Sequence, residues 1–234
     1  MGEDPGAGGS AGEPAHSHPG DRALRLLWGV DPPPARGPKA RWSLNDVALR
    51  ALALADKGGL ENVSLAKVAA ELGVTTTAIY RYVDSKDVLV ALMVDAAIGD
   101  PPTLTEDSLE DRCRAWVRAL RERYRLHPWL ADVQPTGIPR QPRPFGWIEA
   151  MVTATAEYRG VDGLRLSLLF EGLVRAYSTI ARGVVADTAP AAWMSTALAE
   201  RFPALARVAQ RDWSNVDAEL DYSLEIVLRG LARP

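Results

Sequence analysis

Apolar residues recur at helical spacing along most of the chain, and no stretch of useful length shows the strict alternation of a half-buried strand. Leu65, Val68, Ala69 and Leu72 fall at i, i+3, i+4 and i+7, one face of a helix, and Ser64 stands where a side-chain oxygen caps the first free N–H groups. Gly73 ends that helix, because glycine takes the left-handed conformation of a C-terminal cap, and Val74 can then turn back to the core. The chain restarts at once. Ile79 and Val83 continue the buried face, while Thr76, Thr77, Tyr80 and Arg81 fall opposite. Ser64 to Lys86 therefore predicts two short helices meeting at a tight turn, a helix-turn-helix.

Both flanks support the pair. Ser43 and Asp46 form a Ser-x-x-Asp capping box, followed by Val47, Ala48, Ala51, Leu52 and Ala55 at helical spacing until Gly58-Gly59 stops the run. Downstream, Ser85 is placed to cap a helix with Val88, Leu89, Leu92, Met93 and Ala96 on one face, and Lys86 lies at its phosphate-attracting N-terminal end. The outer face of the second short helix offers hydroxyls, a phenol and a guanidinium but no carboxylate, on an element that a DNA major groove admits. Taken alone, those residues also fit an ordinary solvated surface.

The order of a lead helix, a glycine break, a two-helix reader ending in Ile79-Tyr80-Arg81-Tyr82-Val83, and Ser85-Lys86-Asp87 opening a long connecting helix resembles the DNA-binding domain of the TetR family of bacterial repressors. The resemblance runs from Ser43 to about Ala97. It implies a homodimer on a palindromic double-stranded DNA operator, with Thr75, Thr76, Thr77 and Arg81 at the reading face, Arg81 suited to guanine and the threonine methyls to thymine. It further implies phosphate contacts for Ser64, Tyr80, Tyr82 and Lys86. Ala66 and Ala78 depart from longer polar residues common at contact positions, so no operator sequence carries over.

Residues 1–35 read as a disordered or loosely docked extension, 36–99 as the DNA-binding domain with its connecting helix, and 100–234 as a helical effector-binding and dimerisation domain beginning at Asp100-Pro101-Pro102. Residues 1–21 lack periodicity, and His16 and His18 within them make a poor metal site. Asp21 to Val30 is apolar enough for a short docked helix. Lys39 and Arg41, in the basic stretch before the lead helix, fit either an arm reaching DNA or a solvated linker.

Beyond the boundary the fold class is all-α. Thr105 or Asp107 is placed to cap a helix through Leu126, with Cys113, Trp116, Val117, Leu120 and Tyr124 inward, ended by His127-Pro128. His127-Pro128-Trp129-Leu130 resembles the same position in tetracycline-repressor-like effector domains. A Pro-rich loop at 134–144 precedes a helix from about Phe145 to Tyr158. Asp162 to Val185 is the longest helical pattern and is apolar on more than one face, so both faces must be buried, either one in the core and one on a partner or both within a monomer core. The resemblance implies a homodimer seam here, formed by Leu168, Leu169 and Leu173 with Leu220, Leu224, Val227 and Leu228 of a last helix from about Val216 to Leu231.

The resemblance also implies a small-molecule effector pocket in this half. Large aromatic and sulfur-bearing residues are its candidate lining: Met93, Trp116, Leu120, Tyr124, Trp147, Met151, Phe170, Val174 and Tyr177, with Glu171, Arg175 or Gln134 as polar contacts. Aromatic residues at helical spacing equally describe plain core.

Composition changes the picture in three places. The formal net charge of −3, and eight Lys/Arg against seven Asp/Glu over residues 36–99, make the reader barely basic, so the placement of charges within about 10 Å of a phosphate must carry the attraction. One cysteine, Cys113, excludes an internal disulfide and fits a reducing cytoplasm. No Ser/His/Asp arrangement, metal spacing, P-loop or dinucleotide glycine motif occurs, which argues against an enzyme and predicts no cofactor and no metal. No apolar run predicts a membrane span. The reading is a cytoplasmic, ligand-responsive repressor, with a ligand-binding helical protein lacking DNA binding as the alternative.

Overall fold

The structure, a computed structural model, describes residues 20–30, 42–135, 137–185, 192–208 and 215–231. The expectations for Lys39, Arg41, His16 and His18 lie outside the described residues. Among the described residues there are helices and short 3-10 turns but no strand, in two packed parts joined by one helix.

Short polar caps fix the first part. α1 (Asp21–Leu27) docks through buried Ala23 and partly buried Leu27. α2 (Leu44–Gly58) opens on the expected capping box, in which the Ser43 oxygen accepts the Asp46 N–H and the Asp46 carboxylate accepts the Ser43 N–H at 2.7 Å. Gly59 at φ 75° ends it. α3 (Leu65–Leu72) is capped by Ser64 and ends on Gly73 at φ 65°, with the Val74 N–H returning to the Ala69 carbonyl. α4 (Thr76–Ile79) is a single turn capped by Thr75, shorter than the sequence pattern suggests. The chain beyond it continues in turns, with Tyr82 and Val83 both donating to the Ile79 carbonyl. Those turns still bury Ile79 and Val83 together.

α5 (Lys86–Ile98), capped by Ser85, packs on α2 and runs on to the second part. It does not bury one face only. Leu89, Leu92, Met93, Ala97 and Ile98 are enclosed, and so is Asp95, because helices from both parts surround the second half of α5.

The second part is a bundle in which α8 (Gly163–Val185) packs against α6 (Leu109–Leu126), α7 (Pro142–Thr155) and α11 (Val216–Leu231). Ser108 caps α6, in place of the expected Thr105 or Asp107. Its oxygen accepts the Asp111 N–H and its hydroxyl donates to the Asp111 carboxylate at 2.6 Å, the same Ser-x-x-Asp device as at α2. α7 begins at Pro142, earlier than Phe145, since proline suits a first turn that has no N–H to satisfy. A 3-10 turn, Pro128–Asp132, follows α6 and touches α2, α6 and α8. Two further helices, α9 (Ala192–Arg201) and α10 (Pro203–Ala206), pack mainly on each other.

The faces of the last long helices correct part of the expected seam. Leu220, Leu224 and Leu228 are buried inside the protomer and Val227 is partly buried, because this row of α11 completes the core against α8. Leu168 and Leu169 of α8 are exposed, at 51% and 46%, whereas Leu173 packs against the core. The outward apolar residues on α11 are Tyr222 and Ile226.

Candidate nucleic-acid interface and ligand cavity

The turn at Gly73 sets α4 outward from the domain. Thr75, Thr76, Thr77, Tyr80 and Arg81 are all exposed there, with Tyr80 at 52%. Behind them, Ile79, Val83, Val68 and Leu72 are fully buried and hold the short helix from its inner side. Thr75 and Ser64 both act as caps, accepting the N–H groups of Ala78 and Lys67, and each keeps a hydroxyl proton to donate. Tyr82 is partly buried against the core. Lys86 is exposed at the start of α5, its ammonium 3.5 Å from the Leu60 carbonyl. The structure thus brings the described reader residues to one end of the domain around α4 and the start of α5.

The expected aromatic lining, by contrast, is mostly solid core. Trp116 meets Trp147 edge-on at 5.5 Å and Phe170 at 6.3 Å, and its indole donates to the Trp147 carbonyl. Trp147 in turn donates to the Gly99 carbonyl at 2.9 Å. Met93, Leu120, Met151, Phe170 and Val174 are buried with them. Rings that interlock this closely leave no room for a ligand, and each such side chain contributes roughly 1.5–3 kcal/mol by burial. Cys113 sits in the same core, where burial pushes its thiol up to about 11.

A cavity of about 400 Å³ lies elsewhere, between α6, α8 and the start of α11. Tyr124 and Tyr177 line it, the only two expected pocket residues to do so, together with Arg121, Arg125, Arg182 and Asp217. Spacing gave no sign of this site, because the arginines come from helices more than fifty residues apart. The other polar candidates serve structure. Arg175 donates to Glu171 and to the carbonyls of Leu130 and Val133, pinning the 3-10 turn to α8, and Tyr124 donates to the same Glu171 oxygen at 2.8 Å. Burial, then the Glu171 carboxylate, push the Tyr124 phenol far above its ordinary range. Gln134 is exposed and does not line the cavity.

Two carboxylates, Asp56 and Asp95, are among the polar ties between the parts. Asp56 of α2 receives the Trp129 indole N–H at 2.8 Å, and His127 Nδ1 lies 2.9 Å from the same oxygen. Asp95 of α5 receives the Arg143 backbone N–H and guanidinium. Burial outweighs those bonds and raises the Asp95 carboxyl above its ordinary value. Among the described residues no group of three His, Cys, Asp or Glu is arranged to hold a metal, and no helix is long and apolar enough to cross a membrane.

Residues 49–93, which span most of α2, all of α3 and α4 and the start of α5, match the family model for bacterial regulatory proteins of the tetR family. Those residues carry the tetR-family regulatory-protein pattern. The chain is 37% identical over 155 residues to the HTH-type transcriptional repressor DrrR1 of Streptomyces coeruleorubidus, a match covering 64% of the chain and 57% of that repressor. It therefore spans little more than half the length of that relative. An HTH-type transcriptional regulator of Saccharopolyspora erythraea is 28% identical over 78% of this chain and 81% of its own. The crystal structure of the TetR family protein ActR from Streptomyces coelicolor in complex with actinorhodin superposes with a TM-score of 0.68, at 21% identity, over 82% of this chain and 96% of that one. That likeness establishes the fold: an N-terminal helix-turn-helix domain and a helical C-terminal domain.

Proposed function

We propose that the chain is a cytoplasmic transcriptional repressor that binds a palindromic DNA operator as a homodimer and is released by a small aromatic or apolar effector. The observation that carries this reading is the outward face of α4 and its flanking residues, where three threonines, a tyrosine and Arg81 stand exposed without a carboxylate, on a helix whose apolar packing lies behind them. Arg81 is the residue for a guanine edge, Thr76 and Thr77 for neighbouring bases, and Ser64, Tyr80, Tyr82 and Lys86 for phosphates. Lys39 and Arg41 precede the lead helix and add positive charge to the same domain. The repressor DrrR1 and the ActR–actinorhodin complex support the two halves of the reading, DNA control and ligand response. A helical protein that binds its ligand in the cavity without reading DNA is the competing reading, favoured by the near-even charge of residues 36–99.

Binding of the purified protein to the DNA flanking its own gene, measured by mobility shift at two salt concentrations, separates them. The repressor binds saturably, weakens with salt as counterion release requires, and loses the shift in Arg81→Ala while keeping its ligand affinity. A protein without specific binding there or in a wider genomic selection belongs to the competing reading.

A further inference from the structure

Arg182 stands between two hollows. On one side is the 400 Å³ cavity, and on the other a smaller one of about 210 Å³ at the seam of the two domains, lined by Asp56 and Lys57 of α2 together with Trp129 and Asp132. Arg182 and Pro128 line both. The guanidinium holds the two Asp132 oxygens at 2.7 and 2.6 Å, so it anchors the last residue of the Pro128–Asp132 turn to α8. That same turn carries Trp129, whose indole holds Asp56, and His127 just before it shares the Asp56 oxygen.

The cavity itself has a definite chemistry. Three arginines line it; Asp217, also in the lining, engages Arg121, while Arg125 pairs with Glu122 and Arg182 with Asp132. Burial, with the neighbouring Arg125 charge, lowers the Arg121 guanidinium from its ordinary value. Tyr124 and Tyr177 supply rings, and Pro128, Ala181 and Leu220 an apolar wall. Such a lining suits a flat aromatic body bearing an acidic group, because a planar guanidinium pairs with carboxylate or sulfonate oxygens in bidentate fashion.

We propose that this cavity binds an aromatic anion whose acidic group draws Arg182 away from Asp132, and that the exchange loosens the turn by which Trp129 and His127 hold Asp56 of the lead helix. This rests on the reading of the chain as a ligand-responsive regulator and gives that response a chemical class and a route. The anion competes with Asp132 for one cation. The turn keeps the Arg175 bonds to its Leu130 end but loses the anchor at Asp132, and it is the one touching α2, so the change reaches the N-terminal domain without passing through the packed core around Trp116.

The test uses 1-anilinonaphthalene-8-sulfonate and its uncharged counterpart N-phenyl-1-naphthylamine, read by fluorescence on the full chain. The sulfonate should bind one site per chain, lose about tenfold in affinity in Arg182→Gln, the scale of one charge-assisted pair, and be excluded by Ser178→Trp, which fills the cavity. Asp132→Asn should act oppositely, tightening the sulfonate because Arg182 is freed, whereas a merely structural role would weaken both variants alike. The uncharged probe should not respond to Arg182→Gln or Asp132→Asn. Sulfonate binding that survives Ser178→Trp, or ignores Arg182→Gln, overturns the site. Amide hydrogen exchange at residues 56–59 should quicken with saturating sulfonate, and in Asp132→Asn without it; unchanged exchange overturns the route. The probe experiments contain no DNA, so failure of the repressor reading in the mobility shift leaves their outcome to stand or fall separately.

Discussion

Arg143 meets Asp95 twice across the boundary between the domains, its backbone N–H 2.9 Å from one carboxylate oxygen and its guanidinium 3.1 Å from the other, although Asp95 is only 2% exposed. A buried carboxylate in the middle of a connecting helix is destabilising unless paired, so its retention ties the position of α5 to the first turn of α7. Removing one partner exposes that dependence. Arg143→Ala should lower stability by about 3 kcal/mol, the usual scale for orphaning a buried charge. Urea unfolding measures it, and in the double variant with Asp95→Ala the loss should be less than the sum of the two single losses, because the two groups share one interaction.

The pH dependence of that carboxylate has a definite sign. Burial raises the Asp95 carboxyl above its ordinary 3.8, so between 3.8 and the folded value the native state binds more protons than the unfolded chain. Stability from this group therefore rises as pH falls through its folded value, and the gain is complete below 3.8. Asp132, which Arg182 holds below its ordinary value, behaves the opposite way and loses its contribution only as pH falls under 3.8. Comparing wild type with Asp95→Asn by urea unfolding from neutral pH downward should show the difference moving in favour of wild type through the mildly acidic range. A difference independent of pH would remove the assignment.

The interlocked rings predict graded losses. Trp116→Ala should destabilise by about 3–5 kcal/mol, since edge-packed neighbours cannot close the space. Trp147→Phe keeps most of the volume but leaves the Gly99 carbonyl without its indole donor, for a smaller loss of about 1–2 kcal/mol. Thermal unfolding of the two variants should rank them in that order.

Two glycines should respond to alanine for different reasons. At Gly163 an added Cβ would lie 2.6 Å from the Val152 Cα and 2.9 Å from the Met151 carbonyl oxygen, both backbone of α7, so Gly163→Ala must push two helices apart and cost about 3 kcal/mol. At Gly73 the space is open, and only the left-handed φ of 65° penalises a side chain, by about 1 kcal/mol. Denaturation midpoints give the comparison directly.

The proposed homodimer assigns its seam to the outward row of α8, where Leu164, Leu168, Leu169 and Ile180 flank the small residues Gly172 and Ala176. Leu168→Glu with Leu169→Glu should yield a folded monomer in sedimentation, while Leu224→Glu, which places charge in the core, should unfold the chain. A double variant that stays dimeric would move the seam elsewhere.

The elements at the reader end were legible because their signals are local. Ser43, Ser64 and Ser85 cap within three residues, and Gly73 ends α3 through its own φ. What was not legible depends on which way a face turns. Leu220, Leu224 and Leu228 form a row that spacing alone assigns equally to a partner or to the protomer, and only the docking of α11 on α8 decides it. The aromatic set posed the same choice between core and pocket, resolved by the contact of Trp116 with two other rings. Arg182 and Asp132 lie fifty residues apart, beyond any local pattern. Asp95 did leave a trace, as an acid in the otherwise apolar second half of α5.

α1 has a consequence for motion at this same joint. Its first end is fixed to the start of the connecting helix, where the Gly20 N–H reaches Asp84 and a Cβ on Gly20 would lie 2.6 Å from Val88. Its far end is fixed to the other domain, where the Trp28 indole donates to the Arg140 carbonyl and its ring packs at 5.8 Å from Phe145, one turn into α7. A short rod pinned on both sides of a hinge works as a strut. It resists the opening of the two domains, so a displacement of α5 away from α7 must also unseat Trp28.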